Sequence, residues 1–407
     1  MFAAPRPFFF RYCLPLLMLK ALLTNRRDRV LILPVIAAQL IAGTSLFLLP
    51  ILIEALKSHA GLSAGTAGLL LSMELATTAL TTIALSVLTR SHAPRRWALC
   101  GAVLAAASTA LTLLSPALPL LFATRLLAGI GAGVVAAEAM KVLPRCRDRE
   151  RMIAIVTICS IFNAAFWLAV LPWLIDRFGY RAPYGCLLLI YSLGACFLHP
   201  LPSRATVRAE NHGSSGSKLP MPALMASAAV FLTQLGQGAF WSLQEIYGSS
   251  AGFNPHSIGI LLSAATLLLL LGALGAAWAG NRSGTFIPLI TLLALNALSI
   301  ALVSTIAVGW VYLAGNALQS VTNLSSVIYQ LAAAAGLDRL GRAVAMSTAL
   351  VTLGNGLGPG LSASLSPAIG APGVGLVVLA FNLIAIALYW TVMMRQPEPQ
   401  RLSVSVQ

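Results

Sequence analysis

Two residues of opposite charge, Glu74 and Arg125, sit deep inside long apolar stretches of this 407-residue sequence. An ionisable side chain in such a stretch costs about 2.5 to 3.5 kcal/mol to place among hydrocarbon, so it has a partner or a task. A carboxylate held beside a cation in a low-dielectric site takes up and releases a proton as its surroundings change, which is the chemistry proton coupling needs. A Glu74 to Arg125 pair offers that chemistry, and the same two charges equally suit a permanent structural pair. Glu54 and Glu245 lie near the ends of apolar stretches, where water reaches them. They read first as rim residues, with gating or proton entry as a second role. Glu138 and Lys141, three residues apart, read as a helix-surface pair.

A second pattern is made of amides. Tyr312, Asn316, Gln319, Asn323, Ser326 and Gln330 follow one another at steps of four, three, four, three and four, which places all six on one helical face. Amides facing lipid would have no hydrogen-bond partners, so this face points at protein or water. It lines a cavity, or it bonds to other helices at about 1 kcal/mol per contact. Gln234, Gln237, Trp241 and Glu245 repeat the spacing on another stretch, and Gln39 and Thr44 are the polar positions of the first. Facing amide stripes with aromatic rings suit a small solute recognised by hydrogen bonds and ring contacts. Trp241 fits packing or an interface anchor as well as solute contact. Asn163 and Asn355 mark hinge, cavity or packing positions.

Enzyme chemistry is not indicated. The sequence holds no H-E-x-x-H, G-x-S-x-G, phosphate-binding loop or C-x-x-C, and His59, His92, His199, His212 and His256 show no ligand spacing. No catalytic residue, metal or cofactor is therefore expected. Cys13, Cys100, Cys146, Cys159, Cys186 and Cys196 read as small apolar packing residues without disulfides.

The elements that must position these groups follow from composition. With 58% hydrophobic and 9% charged residues, the chain carries about a third of the charge of a soluble domain, which excludes a water-soluble fold, disorder, collagen and coiled coil. About 20 apolar residues cross a bilayer. Twelve stretches reach that scale, with cores at 30–54, 64–89, 97–115, 118–140, 152–175, 183–199, 222–247, 257–279, 285–306, 309–334, 343–366 and 373–394. The expected fold is an all-α membrane protein with twelve transmembrane helices in two pseudo-symmetric six-helix bundles. The bundles are expected at 30–200 and 222–394, joined by a polar linker at 201–221. Pro34, Pro50, Pro172 and Pro359 within the spans permit bends.

Of the 26 Lys and Arg residues, 22 fall in alternate connections and tails that a cytoplasmic N-terminus would place on one side. Lys57, Arg177 and Arg181 fall on the other side and Arg125 within a span. Cationic loops stay in the cytoplasm, so both termini are expected there, in a multi-pass protein of the inner or plasma membrane. The net charge of +15 then describes topology and the lipid bilayer as partner, with no role for nucleic acid. Residues 1–29 form a basic cytoplasmic segment. Lys20 and the Arg26, Arg27 and Arg29 group argue against a signal peptide. Residues 395–407 are a cytoplasmic tail. The halves also match at an offset of about 190 residues: Gln39-Leu40 with Gly43 against Gln234-Leu235 with Gly238, and Asn163 against Asn355.

Several motifs resemble those of the major facilitator superfamily, and the likeness runs from Arg29 to Arg395. R-L-L-A-G-I-G-A-G, from Arg125 to Gly133 in span four, resembles the family's R-x-x-x-G-x-G-x-G. Asn281-Arg282-Ser283-Gly284 resembles the D-R-x-G turn of its cytoplasmic gating loop, and Gly179-Tyr180-Arg181 resembles its G-W-R turn. The equivalent loop after span two, Thr89 to Arg96, lacks the Asp and the Gly and keeps the cations Arg90, Arg95 and Arg96. Gly354 to Ala363 in span eleven resembles the glycine-proline motif that many exporters carry in span five, where this chain has Asn163-Ala-Ala-Phe-Trp167. The resemblance implies alternating access, with spans one, four, seven and ten lining a central cavity. It implies a secondary transporter of a small organic solute, acting as a monomer. Proton-driven uptake is favoured by the missing span-five motif. A proton-antiport exporter of drugs or metabolites is the alternative, and a non-transporting receptor or polytopic enzyme is the alternative from another class.

Overall fold

A computed structural model describes residues 26–88, 93–114, 117–142, 146, 149–202, 219–280, 284–338 and 342–395. The basic N-terminal segment up to residue 25, most of the linker and the tail beyond Arg395 lie outside the described residues.

The described chain is helical. In order, α1 is Arg26–Phe47, α2 Leu49–Ala60, α3 Ala64–Leu88, α4 Pro94–Leu114, α5 Leu118–Val142, α6 Arg149–Phe178 and α7 Arg181–Phe197. The second half continues with α8 Met221–Ser242, α9 Gln244–Ser250, α10 Pro255–Ala279, α11 Phe286–Thr305, α12 Gly309–Leu337 and α13 Arg342–Met394. Among the described residues nine helices are long and apolar enough to cross a membrane, and the apolar α7 adds 17 residues. The 29-residue α12 falls outside that set because its amide stripe lowers its hydropathy. The 53-residue α13 is two helices meeting at Gly370, whose φ of 69° breaks the regular backbone. Spans eleven and twelve are therefore its two arms.

Spans one and seven are each broken near the end remote from Arg29. Span one is α1 plus α2, interrupted at Leu48, and span seven is α8 plus α9, interrupted at Leu243. The first break has a covalent cause, because Pro50 has no N–H to give the carbonyl of Leu46. The two breaks are related by the same 195-residue offset as Gln39 and Gln234. The first span runs on past Glu54 to Ala60, where Gly61 at φ 67° stops it. Pro34 and Pro172 lie within continuous helices.

Within the first half, α1 packs on α5, α6 and α7, α3 on α5, and α4 on α5 and α7. Within the second, α8 packs on α13, α10 on α12, and α11 on α12 and α13. The halves meet through α3 with α13, α6 with α10, and α2 with α8 and α9.

Small residues make the closest of these contacts. On α5, Gly129 and Gly133 face the backbone of Glu74 and Thr78 on α3, while Gly131 faces Gly101 and Ala105 on α4. A Cβ at Gly133 would lie 2.6 Å from the Thr78 carbonyl oxygen. On α13, Gly354 and Gly358 face α8, and Gly356 and Gly360 face Leu75 and Ser72 on α3. The glycine runs noticed in the sequence are thus backbone contact surfaces. Gly133→Ala should cost about 1 to 3 kcal/mol through overpacking. Gly185→Ala, which meets open space, should leave the unfolding temperature of the detergent-purified protein unchanged or raised. Parallel thermal unfolding of both variants checks the difference.

Candidate functional site

Arg125 has no solvent exposure, and the glycine face of α5 brings it against α3. Its Nη1 donates to Glu74 Oε2 at 3.3 Å. Its Nη2 donates to Thr109 Oγ1 at 3.1 Å and Thr112 Oγ1 at 2.8 Å on α4, and Thr112 in turn donates to Thr124 at 2.9 Å. The guanidinium carbon lies 4.7 Å from the ring centroid of Tyr184 on α7, a cation–π contact. Glu74 Oε1 accepts from Ser45 Oγ on α1 at 2.9 Å, and Ser45 Oγ lies 3.2 Å from the Tyr191 hydroxyl. Helices α1, α3, α4, α5 and α7 therefore all hold one ion pair.

The sequence pointed to Glu74 and Arg125 but not to Ser45, Thr109, Thr112, Tyr184 or Tyr191. Thr109 with Thr112 and Tyr184 with Tyr191 each share a helix face, at spacings of three and seven. That pattern is common for hydroxyls in apolar helices and becomes a signal only once a buried guanidinium needs acceptors. Two buried groups here stay open: Arg125 Nε and the Tyr184 hydroxyl have no hydrogen-bond partner.

In the second half the amide stripe engages α8. Gln319 Nε2 donates to Gln237 Oε1 at 2.7 Å, and Gln330 Nε2 to Thr233 Oγ1 at 3.0 Å. Asn355 Nδ2 on α13 donates to Gln234 Oε1 at 2.8 Å. Asn163 Nδ2 on α6 likewise donates to Thr44 Oγ1 on α1 at 3.1 Å, so the two asparagines join span five to one and span eleven to seven. Asn316 donates to the Tyr312 carbonyl, and the Tyr312 hydroxyl donates to the carbonyl of Gln244 at 3.3 Å. Asn316 Oδ1 and Gln330 Oε1 are buried and open, while Asn323 is half-buried. Gln39 is also half-buried and lines a cavity of about 220 Å³ between α1, α5 and α6, with Thr157 and Met140.

Trp241 joins the halves. Its Nε1 donates to the carbonyls of Leu46 and Phe47, both at 3.2 Å, so it serves the carbonyl that Pro50 leaves without a partner. Other cross-half contacts share this end of the bundle. Ser72 Oγ donates to the Gly356 carbonyl at 2.8 Å, Gly259 packs on Leu168 and Pro172, and His256 Nε2 lies 2.9 Å from Asp176 Oδ2. Glu54 pairs with Lys57 at 3.0 Å beside the buried Glu245. The halves are thus sealed together at the end carrying Lys57 and Asp176.

At the other end, Arg95 and Arg96 open α4, and the Arg95 backbone N–H donates to the Pro202 carbonyl at 3.3 Å. Gly284 takes φ 72°, a conformation open to glycine that the turn before α11 requires. Arg90, Asn281 and Arg282 lie outside the described residues.

The geometry has relatives. A family profile described as Major Facilitator Superfamily matches residues 35–223. No curated protein sequence is significantly similar to the chain. Among solved structures, a D-xylose-proton symporter superposes with TM-score 0.72 at 14% identity, covering 91% of this chain and 98% of that one. An auto-inhibited POT family peptide transporter gives 0.72 at 10% identity, covering 92% and 98%. The human organic anion transporter MFSD10 gives 0.66 at 16% identity, covering 90% and 100%.

The buried pair sets a stability test. Removing one partner strands the other charge at about 3 to 5 kcal/mol, whereas removing both is close to neutral. Arg125→Leu and Glu74→Leu should each unfold at lower denaturant, and the double variant should recover most of the loss. The profile match likens residues 35–223 to the major facilitator superfamily, the solved transporters share the fold over the described chain, and its apolar helices make it a multi-pass integral membrane protein.

Proposed function

We propose that the chain moves a small polar or aromatic organic solute across the inner or plasma membrane by alternating access, driven by protons entering with the solute, and that it works as a monomer. The observation that carries this reading is the Glu74 to Arg125 pair: it is fully buried and shares Ser45 with span one. A carboxylate bonded to a cation and to a helix that lines the cavity can exchange a proton when that helix moves. The open Arg125 Nε and Tyr184 hydroxyl provide hydrogen-bonding positions for the same event. Glu54 and Glu245 at the sealed end serve as gate and proton-entry residues.

The solute would sit between the half-buried Gln39, Asn163, Asn323 and Asn355, with Gln234, Gln237, Tyr312, Asn316 and Gln319 behind them. Their interhelical bonds support a cavity wall whose amides exchange partners as the halves rock. Sealing at the Lys57 end agrees with a cavity facing the cytoplasm when both termini are cytoplasmic. Arg90, Arg95, Arg96, Asn281, Arg282 and Gly284 would then form the opposing gate. Export by antiport is the second reading, favoured by the glycine-proline run of α13 lying on the seam with α3.

Reconstituted liposomes test the reading. Counterflow with a labelled pentose, nucleoside or dipeptide, classes taken from transporters of the same fold, should identify a solute. That solute should then drag protons in the same direction for the native chain. Glu74→Gln should keep counterflow and lose solute-driven proton movement. Undiminished proton movement in Glu74→Gln would remove Glu74 from the coupling role, and proton movement opposite to the solute would establish antiport.

A further inference from the structure

At the sealed end, a cavity of about 150 Å³ lies between the two halves. Its polar walls are Glu54, Ser58 and His59 from α2, Asp176 from α6, and Glu245 from α9, and the rings of Pro172 and Pro255 close it on the apolar side. The Glu245 residue is 6% exposed, and its Oε1 has no hydrogen-bond partner. Glu54 and Lys57 are its charged neighbours.

The charges do not balance. Lys57 is bonded to Glu54 at 3.0 Å, with its side chain half in solvent, and so answers one carboxylate. His256 faces Asp176 at 2.9 Å from the α10 side. Among the described residues no group of opposite sign forms a salt bridge with Glu245, and its Oε1 is open. Ser58 Oγ donates to the Glu54 carbonyl at 2.7 Å and lies 2.7 Å from His59 Nδ1, from which it accepts, so one lone pair is left. A carboxylate this buried with an open oxygen costs free energy unless a cation or donor meets it.

We infer that this cavity binds one small monovalent cation, an inorganic ion or an ammonium group, between Glu245 and Glu54. The cavity has room for a few heavy atoms and no more, and its oxygen-rich, net acidic wall suits a hard cation or an N–H₃⁺ donor. Its walls come from both halves, so the site is complete only while this end is shut. Where alternating access operates, the reading proposed above, the bound cation favours the state sealed at this end.

Binding is read without transport, so a chain that moved no solute would still report it. The full-length protein in detergent is unfolded thermally at fixed ionic strength in sodium chloride, methylammonium chloride or N-methylglucamine chloride, whose cation is too large for the cavity. Sodium or methylammonium should raise the unfolding temperature saturably above the N-methylglucamine value, since a ligand of the folded state stabilises it. Glu245→Gln should weaken the midpoint by about tenfold or more, as expected for losing a charge-assisted contact. Glu54→Gln, on a side chain 27% exposed, should weaken it as well and serves should the first variant not fold. A response to sodium alone identifies an inorganic ion, and a response to methylammonium alone identifies an organic ammonium. No saturable rise with either cation, or a rise that survives both substitutions, overturns the inference.

Discussion

A guanidinium without solvent exposure has to find its hydrogen bonds inside the protein, and the first half of the molecule is arranged around that need. Arg125 uses Glu74, Thr109 and Thr112, and lies over Tyr184, so helices α3, α4, α5 and α7 are tied to one side chain. Desolvation makes the pair weak as a source of stability and strong as a constraint, because neither charge can leave alone. The motif that begins at Arg125 follows from the same demand. Gly129 and Gly133 let α5 approach α3 closely enough for the ion pair to form, and Gly131 does the same toward α4. Ser45 extends the network to α1, the helix that breaks at Leu48.

The halves meet through a different kind of contact. Among the described residues no cation holds α3 to α13; backbone lies on backbone at Gly356, Gly360 packs on the Ser72 side chain, and Ser72 donates to the Gly356 carbonyl. Trp241 adds one directional bond to the carbonyl freed by Pro50, tying a local backbone defect in span one to span seven. The second half is knitted by amides where the first half is knitted by charge. Gln234 with Asn355 repeats the place that Thr44 with Asn163 takes in the first half, and Gln237 with Gln319 joins α8 to α12.

Much of this was legible in the sequence because bilayer thickness imposes a length and desolvation imposes pairing. The helices fall at the apolar stretches, and the two intramembrane charges met as their cost required. The periodicity of Tyr312 to Gln330 placed those residues on one face, but periodicity carries no information about the facing helix. The bonds from Gln319 to Gln237 and Gln330 to Thr233 therefore emerged only in three dimensions. Pro50 announced a break in span one; Leu243, where span seven breaks, carries no such marker. Trp241 looked like packing or a solute contact, and its bond to Leu46 depends on a residue 195 positions away. The hydroxyl partners of Arg125 were invisible for the same reason.

The central claim is that Glu74, bonded to Arg125 and Ser45, changes protonation during the cycle. Difference infrared spectroscopy of the reconstituted protein reads that change directly, through the C=O stretch that a carboxyl group shows only when protonated. The account predicts that acidification produces such a band for the native chain and that Glu74→Gln abolishes it. A spectrum identical for the two proteins across the transport pH range would contradict the account and leave the ion pair as a structural tie.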